Sequence, residues 1–116
     1  MYRLKFWESL SGEKPVRAWL MGLSLDEKRK VDKLLKLLEA FGTSLPYPNG
    51  KYLGNGLFEA RDDSKGPGFR VYCHRVEDVM LVLLVGGDKS TQKRDIEMAR
   101  QRMDALRDLI DGGKQK

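Results

Sequence analysis

Two hydrophobic periods run through this chain, and they change over near residue 50. Tyr2-Arg-Leu-Lys-Phe6 alternates apolar and cationic residues, the period of two that predicts a strand. Val16, Trp19, Leu20 and Leu23 then fall at helical spacing. They predict a helix over residues 14–23, with Pro15 tolerated in its first turn. Val31, Leu34, Leu35, Leu38 and Phe41 form the buried stripe of a second helix over 25–41. Ser24 and Glu27 have the spacing of a capping box for it, and Gly42 is its stop. Two prolines and the Asn49-Gly50 turn signal make 43–50 irregular.

Beyond that break the period is two again. Strands are predicted at Leu57–Arg61, Phe69–Val76 and Val79–Val85, with turns at Asp62–Gly68 and Glu77–Asp78. The last of these strands is wholly apolar, as expected for a central strand covered on both faces. A final helix, capped by Ser90 or Thr91, carries Ile96, Ala99, Met103, Leu106 and Ile110 on one stripe. The order βααβββα predicts an α+β domain over residues 1–111, with a mostly antiparallel sheet and a disordered tail over 112–116.

Alternation assigns faces. Phe58, Ala60, Phe69, Val71 and Cys73 should meet Trp19, Leu20, Leu34, Leu38 and Phe41 of the two helices. Arg61, Arg70, Tyr72 and His74 then share the opposite face, expected to be open, with Lys51 and Lys89 leaning over it. Rigidly mounted guanidinium groups suit phosphate, which makes RNA or DNA the first partner to consider. Ion pairing of those arginines with Glu59, Asp62 or Glu77 is the plainer alternative.

Composition narrows the picture. The 116 residues carry 22 Lys and Arg against 17 Asp and Glu, a net charge of +5, which is compatible with a nucleic-acid partner. A single cysteine, Cys73, and a single histidine exclude an internal disulfide and a Cys/His zinc cage. Cys73 reads as core. No apolar run is long enough to span a bilayer, and a cytoplasmic setting is expected. Lys28, Arg29, Lys30, Lys33 and Lys36 on the second helix are either a solvated face or a contact for nucleic acid or the ribosome. Gly86-Gly-Asp-Lys-Ser-Thr91 lacks the glycine spacing of a phosphate loop.

Three strings carry a resemblance: Leu53-Gly-Asn-Gly-Leu-Phe-Glu-Ala-Arg61, Gly66-Pro-Gly-Phe-Arg-Val-Tyr72, and Leu84-Val-Gly-Gly-Asp-Lys-Ser-Thr-Gln92 followed by Asp95-Ile-Glu-Met-Ala99. In these the chain resembles the RelE/ParE superfamily of bacterial toxins, in its HigB-like, phage-derived Gp49-like branch. The resemblance implies a type II toxin that cuts mRNA on the ribosome without metal or other cofactor. It also implies a helix-turn-helix antitoxin, operator DNA reached only through that antitoxin, and no membrane partner. The family's cationic site maps onto Arg61, Arg70, Lys89 and, more loosely, Lys51. RNA contacts are expected at Tyr72, His74 and Lys93. Lys89 is followed by Ser90 where many relatives have a second lysine, and no aromatic residue or histidine follows His74. The general acid and base therefore stay open among Lys51, Lys89, Tyr72 and His74. Two other activities fit the same resemblance: a ParE-type toxin that binds a protein such as DNA gyrase, and a regulatory member acting with its antitoxin on operator DNA.

Overall fold

The computed structural model describes residues 1–114, with side chains to Asp111, so the tail expected over 112–116 lies outside the residues fully described. The elements are β1 (Arg3–Phe6), α1 (Pro15–Met21), α2 (Leu25–Phe41), β2 (Gly50–Gly54), β3 (Leu57–Arg61), β4 (Arg70–Glu77), β5 (Met80–Gly87) and α3 (Gln92–Lys114). They build the expected α+β fold around one five-stranded sheet in the order β1-β5-β4-β3-β2. Strands β2 to β5 form an antiparallel meander, and β1 joins β5 in parallel. The Ser24 hydroxyl accepts the Glu27 amide at 3.2 Å while the Glu27 carboxylate accepts the Ser24 amide at 2.8 Å, so the capping box forms.

One strand was not anticipated. Lys51-Tyr-Leu53 is short and bounded by glycines, a pattern that reads as loop, yet β2 pairs along β3. Two features set it there. At Gly50 a Cβ would lie 2.1 Å from the Leu45 carbonyl oxygen, so only glycine lets the chain enter the sheet at that point. Gly54, Asn55 and Gly56 all take positive φ, which turns β2 tightly into β3.

The sheet separates two apolar layers. On one side, Phe58, Ala60, Phe69, Val71, Cys73, Leu81 and Leu83 pack against Val16, Trp19 and Leu20 of α1 and Val31, Leu34 and Leu38 of α2. Phe41 departs from its expected place and is 47% exposed. Tyr2 occupies that end of the core, its ring lying where a Cβ at Gly42 would fall. Trp19 lies directly over Gly86 and meets Phe69 edge to face, centroids 6.2 Å apart.

On the other side, α3 covers the face expected to be open. Leu57, Tyr72, Val82, Leu84 and Val85 pack against Ala99 and Met103, with Ile96 and Leu106 beside them. Arginines fasten α3 to backbone carbonyls: Arg100 Nη2 donates to Leu53 at 2.8 Å and Arg102 Nη1 to Leu84 at 2.7 Å. Leu84 sits at an irregularity between β4 and β5, with no residue opposite it on β4. Arg102 also lies over the Trp7 ring at 4.9 Å. The sequence missed this cover because the stripe on α3 demands an apolar surface without saying which. Ser90 and Thr91 are not the first cap here. Asp88 accepts the Ser90 amide at 2.8 Å and caps a short 3-10 turn, Lys89–Thr91, that leads into α3. Thr91 instead donates to the buried Asp95 carboxylate. Among the described residues no helix is long and apolar enough to cross a membrane.

Two outcomes follow from this packing. A Cβ at Gly86 would fall 2.2 Å from the Trp19 ring, so Gly86→Ala is expected to destabilise by about 1–3 kcal/mol in urea unfolding. Burial pushes the Cys73 thiol up from 9.0 to about 12. Its contribution to stability is therefore whole below pH 9.0 and is lost as pH rises toward about 12. At about pH 8 a thiol reagent should leave native Cys73 unlabelled and should label it at once in denaturant.

Candidate functional site

The pairing of β3 with β4 places Arg61 opposite Arg70, Glu59 opposite Tyr72 and Leu57 opposite His74, while β2 sets Lys51 opposite Glu59. Alternation then puts Lys51, Glu59, Arg61, Arg70 and Tyr72 on the face shared with α3. The two arginines expected to share a face do so. The helix leaves this corner of the sheet only partly uncovered, and Arg70 is 8% exposed.

At the centre of the corner is Glu59, with no exposed surface. Its two carboxylate oxygens face different arginines: Oε1 lies 3.6 Å from Arg61 Nε and Oε2 lies 3.6 Å from Arg70 Nε. Gln92, the first residue of α3, donates to Oε2 at 3.0 Å. An isolated carboxylate here would cost several kcal/mol, and the cations on either side offset that cost. Each guanidinium has a second anchor. Arg61 Nε donates to the Pro48 carbonyl at 3.2 Å and its head lies 5.3 Å from the Tyr47 ring centre. Arg70 Nη1 donates to the Gly68 carbonyl at 2.9 Å.

Lys89 reaches the same corner from beyond β5. Its amide donates to the Pro67 carbonyl at 3.1 Å. A Cβ at Gly68, where φ is +70°, would lie 3.3 Å from Arg70 Nη1 and 3.4 Å from Lys89 Cβ. Glycine thus lets the loop pass between the two cations. Asp88, next to Lys89, has its carboxyl held below the ordinary carboxylate range, first by the Ser90 hydroxyl and in smaller part by Arg70. Lys51 and Lys89 are both exposed at the border of the cluster.

Three of the expected residues sit differently. Tyr72 is fully buried and offers no ring face to a base; α3 covers it, and its hydroxyl lies beside Glu59. Burial first, and then the Glu59 carboxylate, hold the Tyr72 phenol protonated well above its ordinary range. His74 lies beyond Tyr72 on β4, four residues and about 13 Å of strand from Arg70, and its Nδ1 meets the Gly56 carbonyl at 2.9 Å. Lys93 is exposed on α3 and borders a separate depression with Ser90, Arg94 and Glu97. The arrangement therefore gathers Arg61, Arg70, Lys89 and Lys51 and leaves His74 and Lys93 outside.

Glu59 meets the plainer expectation by pairing with both arginines, and Gln92 joins the cluster without a forewarning in the sequence. Glu59 had a visible signal: a carboxylate two residues before Arg61, on the same strand face. Gln92 had none, because its contact depends on where α3 begins. Removing Arg70 leaves Glu59 with a single cation in a buried setting. Arg70→Ala is therefore expected to lower stability by about 1–3 kcal/mol, and Arg61→Ala by less because its side chain is more exposed. Chemical denaturation of the two variants measures the difference.

Comparison with known proteins places the chain in a family. Residues 18–104 match the family described as phage-derived protein Gp49-like (DUF891). The match takes in every cation of the cluster, as well as Glu59 and Gln92. An uncharacterised protein of Haemophilus influenzae is 40% identical over 84 residues, 72% of this chain and 80% of its own length. With residues 18–104 matched, well over half of its length, the chain belongs to the phage-derived Gp49-like family.

Proposed function

We propose that the chain is the toxin of a type II toxin–antitoxin pair and that it cleaves mRNA on the ribosome. The observation that carries this reading is the pair of guanidinium groups held side by side on β3 and β4, with Lys51 and Lys89 at their border. Membership of a family associated with toxin–antitoxin modules supports the toxin role and an antitoxin partner.

The chemistry that suits such a cluster is in-line attack of an RNA 2′-oxygen on the adjacent phosphorus. The 2′-hydroxyl gives up its proton, the bond to the 5′-oxygen breaks, and that oxygen takes a proton as it leaves. A 2′,3′-cyclic phosphate and a 5′-hydroxyl result. Arg61 and Arg70 donate to the non-bridging oxygens, where charge accumulates in the pentacovalent transition state. In this scheme the two protons pass through Lys51 and Lys89, both exposed at the border, one accepting and the other donating. His74 and Tyr72 take no part in this scheme, one by distance and the other by burial. A helix-turn-helix antitoxin silences the activity.

Induction of the chain alone, with mapping of RNA 5′ ends, should reveal new ends on translated messages, and co-expression of the antitoxin should restore growth. Arg61→Ala and Arg70→Ala should each reduce cleavage about 10²–10³-fold. Arg70→Lys should fail as well, because an ammonium lacks the guanidinium fork. Lys89→Ala should weaken cleavage, Lys51→Ala less so, and Arg75→Ala, on an exposed position away from the cluster, should be silent. Full cleavage by the Arg61/Arg70 double alanine variant would overturn the mechanism. Growth arrest with no new RNA ends would favour a toxin that acts by binding a protein target.

A further inference from the structure

Glu59 holds a position that solubility of the sheet does not require. It is completely buried, it lies between two cations of the cluster, and it touches each at Nε, the inner nitrogen of the guanidinium. Among the described residues neither arginine gives an Nη hydrogen bond to the carboxylate. The Nη groups of Arg61 have no hydrogen-bond partner among the described residues, and Arg70 uses only Nη1. The cluster is also incompletely bonded. Glu59 Oε1, Arg70 Nε and the Tyr72 hydroxyl are all buried without a hydrogen-bond partner. Both Glu59–arginine contacts, at 3.6 Å, stop just short of hydrogen-bonding distance. Unsatisfied groups of this kind, adjacent and mutually complementary, are costly unless another state completes them.

We propose that Glu59 is the positioning residue of the arginine pair: it holds Arg61 and Arg70 by their Nε atoms so that the Nη donors of both converge on one phosphate. The anion draws the two heads together, and the Arg70 Nε contact with Glu59 shortens into a hydrogen bond; Arg61 Nε keeps its one hydrogen on the Pro48 carbonyl and stays with Glu59 as an ion pair. The carboxylate also cancels one positive charge, so it weakens the general attraction for RNA while sharpening the orientation of the two donors. Gln92 fixes the rotamer of Glu59 and ties the arrangement to the start of α3. The catalytic consequence rests on the ribonuclease reading above; the phosphate clamp does not.

Two measurements on the full chain test it. In a titration with inorganic phosphate, the ¹⁵N-edited NMR signals of the Arg61 and Arg70 Nε–H groups should shift together, with one dissociation constant. A response at one arginine or at neither would overturn the clamp, whatever the protein does to RNA. The second measurement compares Glu59→Gln and Glu59→Asp with wild type in single-turnover cleavage of ribosome-bound mRNA. Glu59→Gln keeps the shape but removes the charge, so its KM should be equal or lower while turnover falls about 10²-fold, the cost of misplacing oriented groups. Glu59→Asp keeps the charge at shorter reach and should recover part of the turnover. A merely structural role would lower the active fraction and leave both constants of the folded protein unchanged; that result would overturn the proposal. Should Glu59→Gln fail to fold, the wild-type titration and Glu59→Asp still decide. Should wild type cleave no RNA, the ribonuclease reading fails, and the phosphate titration alone judges the clamp.

Discussion

The burial of one carboxylate among cations is the constraint on which the functional end of this molecule depends. Two arginines on neighbouring strands repel each other, and a glutamate without solvent is strongly disfavoured alone. Together Glu59, Arg61 and Arg70 form a triad in which each charge offsets the cost of the others. The arrangement is possible because β3 and β4 pair in a register that puts Arg61 opposite Arg70 and Glu59 one inward step away. A slip of one residue between the two strands would put Arg70 on the opposite face from Glu59 and Arg61 and break the triad.

The long C-terminal helix has two tasks in this design. It covers the second apolar layer of the sheet, and it ends that cover where the cations begin. Its first residue, Gln92, reaches Glu59, while Arg100 and Arg102 further along bind carbonyls at the sheet. Asp95, beside Gly87, seats the first turn closely: a Cβ on that glycine would lie 1.9 Å from the Asp95 carboxylate. The exposed cationic corner is thus what α3 leaves uncovered, rather than one whole face of the sheet.

Most of the fold was legible because periodicity and capping are local. The Ser24–Glu27 box, the stripe through Val31, Leu34 and Leu38, and the apolar run of β5 each stated their structure within a few residues. What escaped depended on partners distant in sequence. β2 is too short and too glycine-bounded to declare itself, and Phe41 continues a helical stripe past the point where Tyr2 has taken its place. The site divides in the same way. Alternation was enough to put Arg61 and Arg70 together. The burial of Tyr72 and the contact of Gln92 with Glu59 follow from the docking of α3, which no strand pattern encodes.

The parallel pairing of β1 with β5 bears on the order in which the molecule is assembled. Arg3 lies against Met80, so the first strand has no partner until almost the whole meander exists. The hairpins β2–β3, β3–β4 and β4–β5 close short loops, whereas the β1–β5 contact closes the longest loop in the sheet. Glu59, Arg61 and Arg70 lie on the local hairpin β3–β4, whereas β1 joins the sheet through its most distant contact.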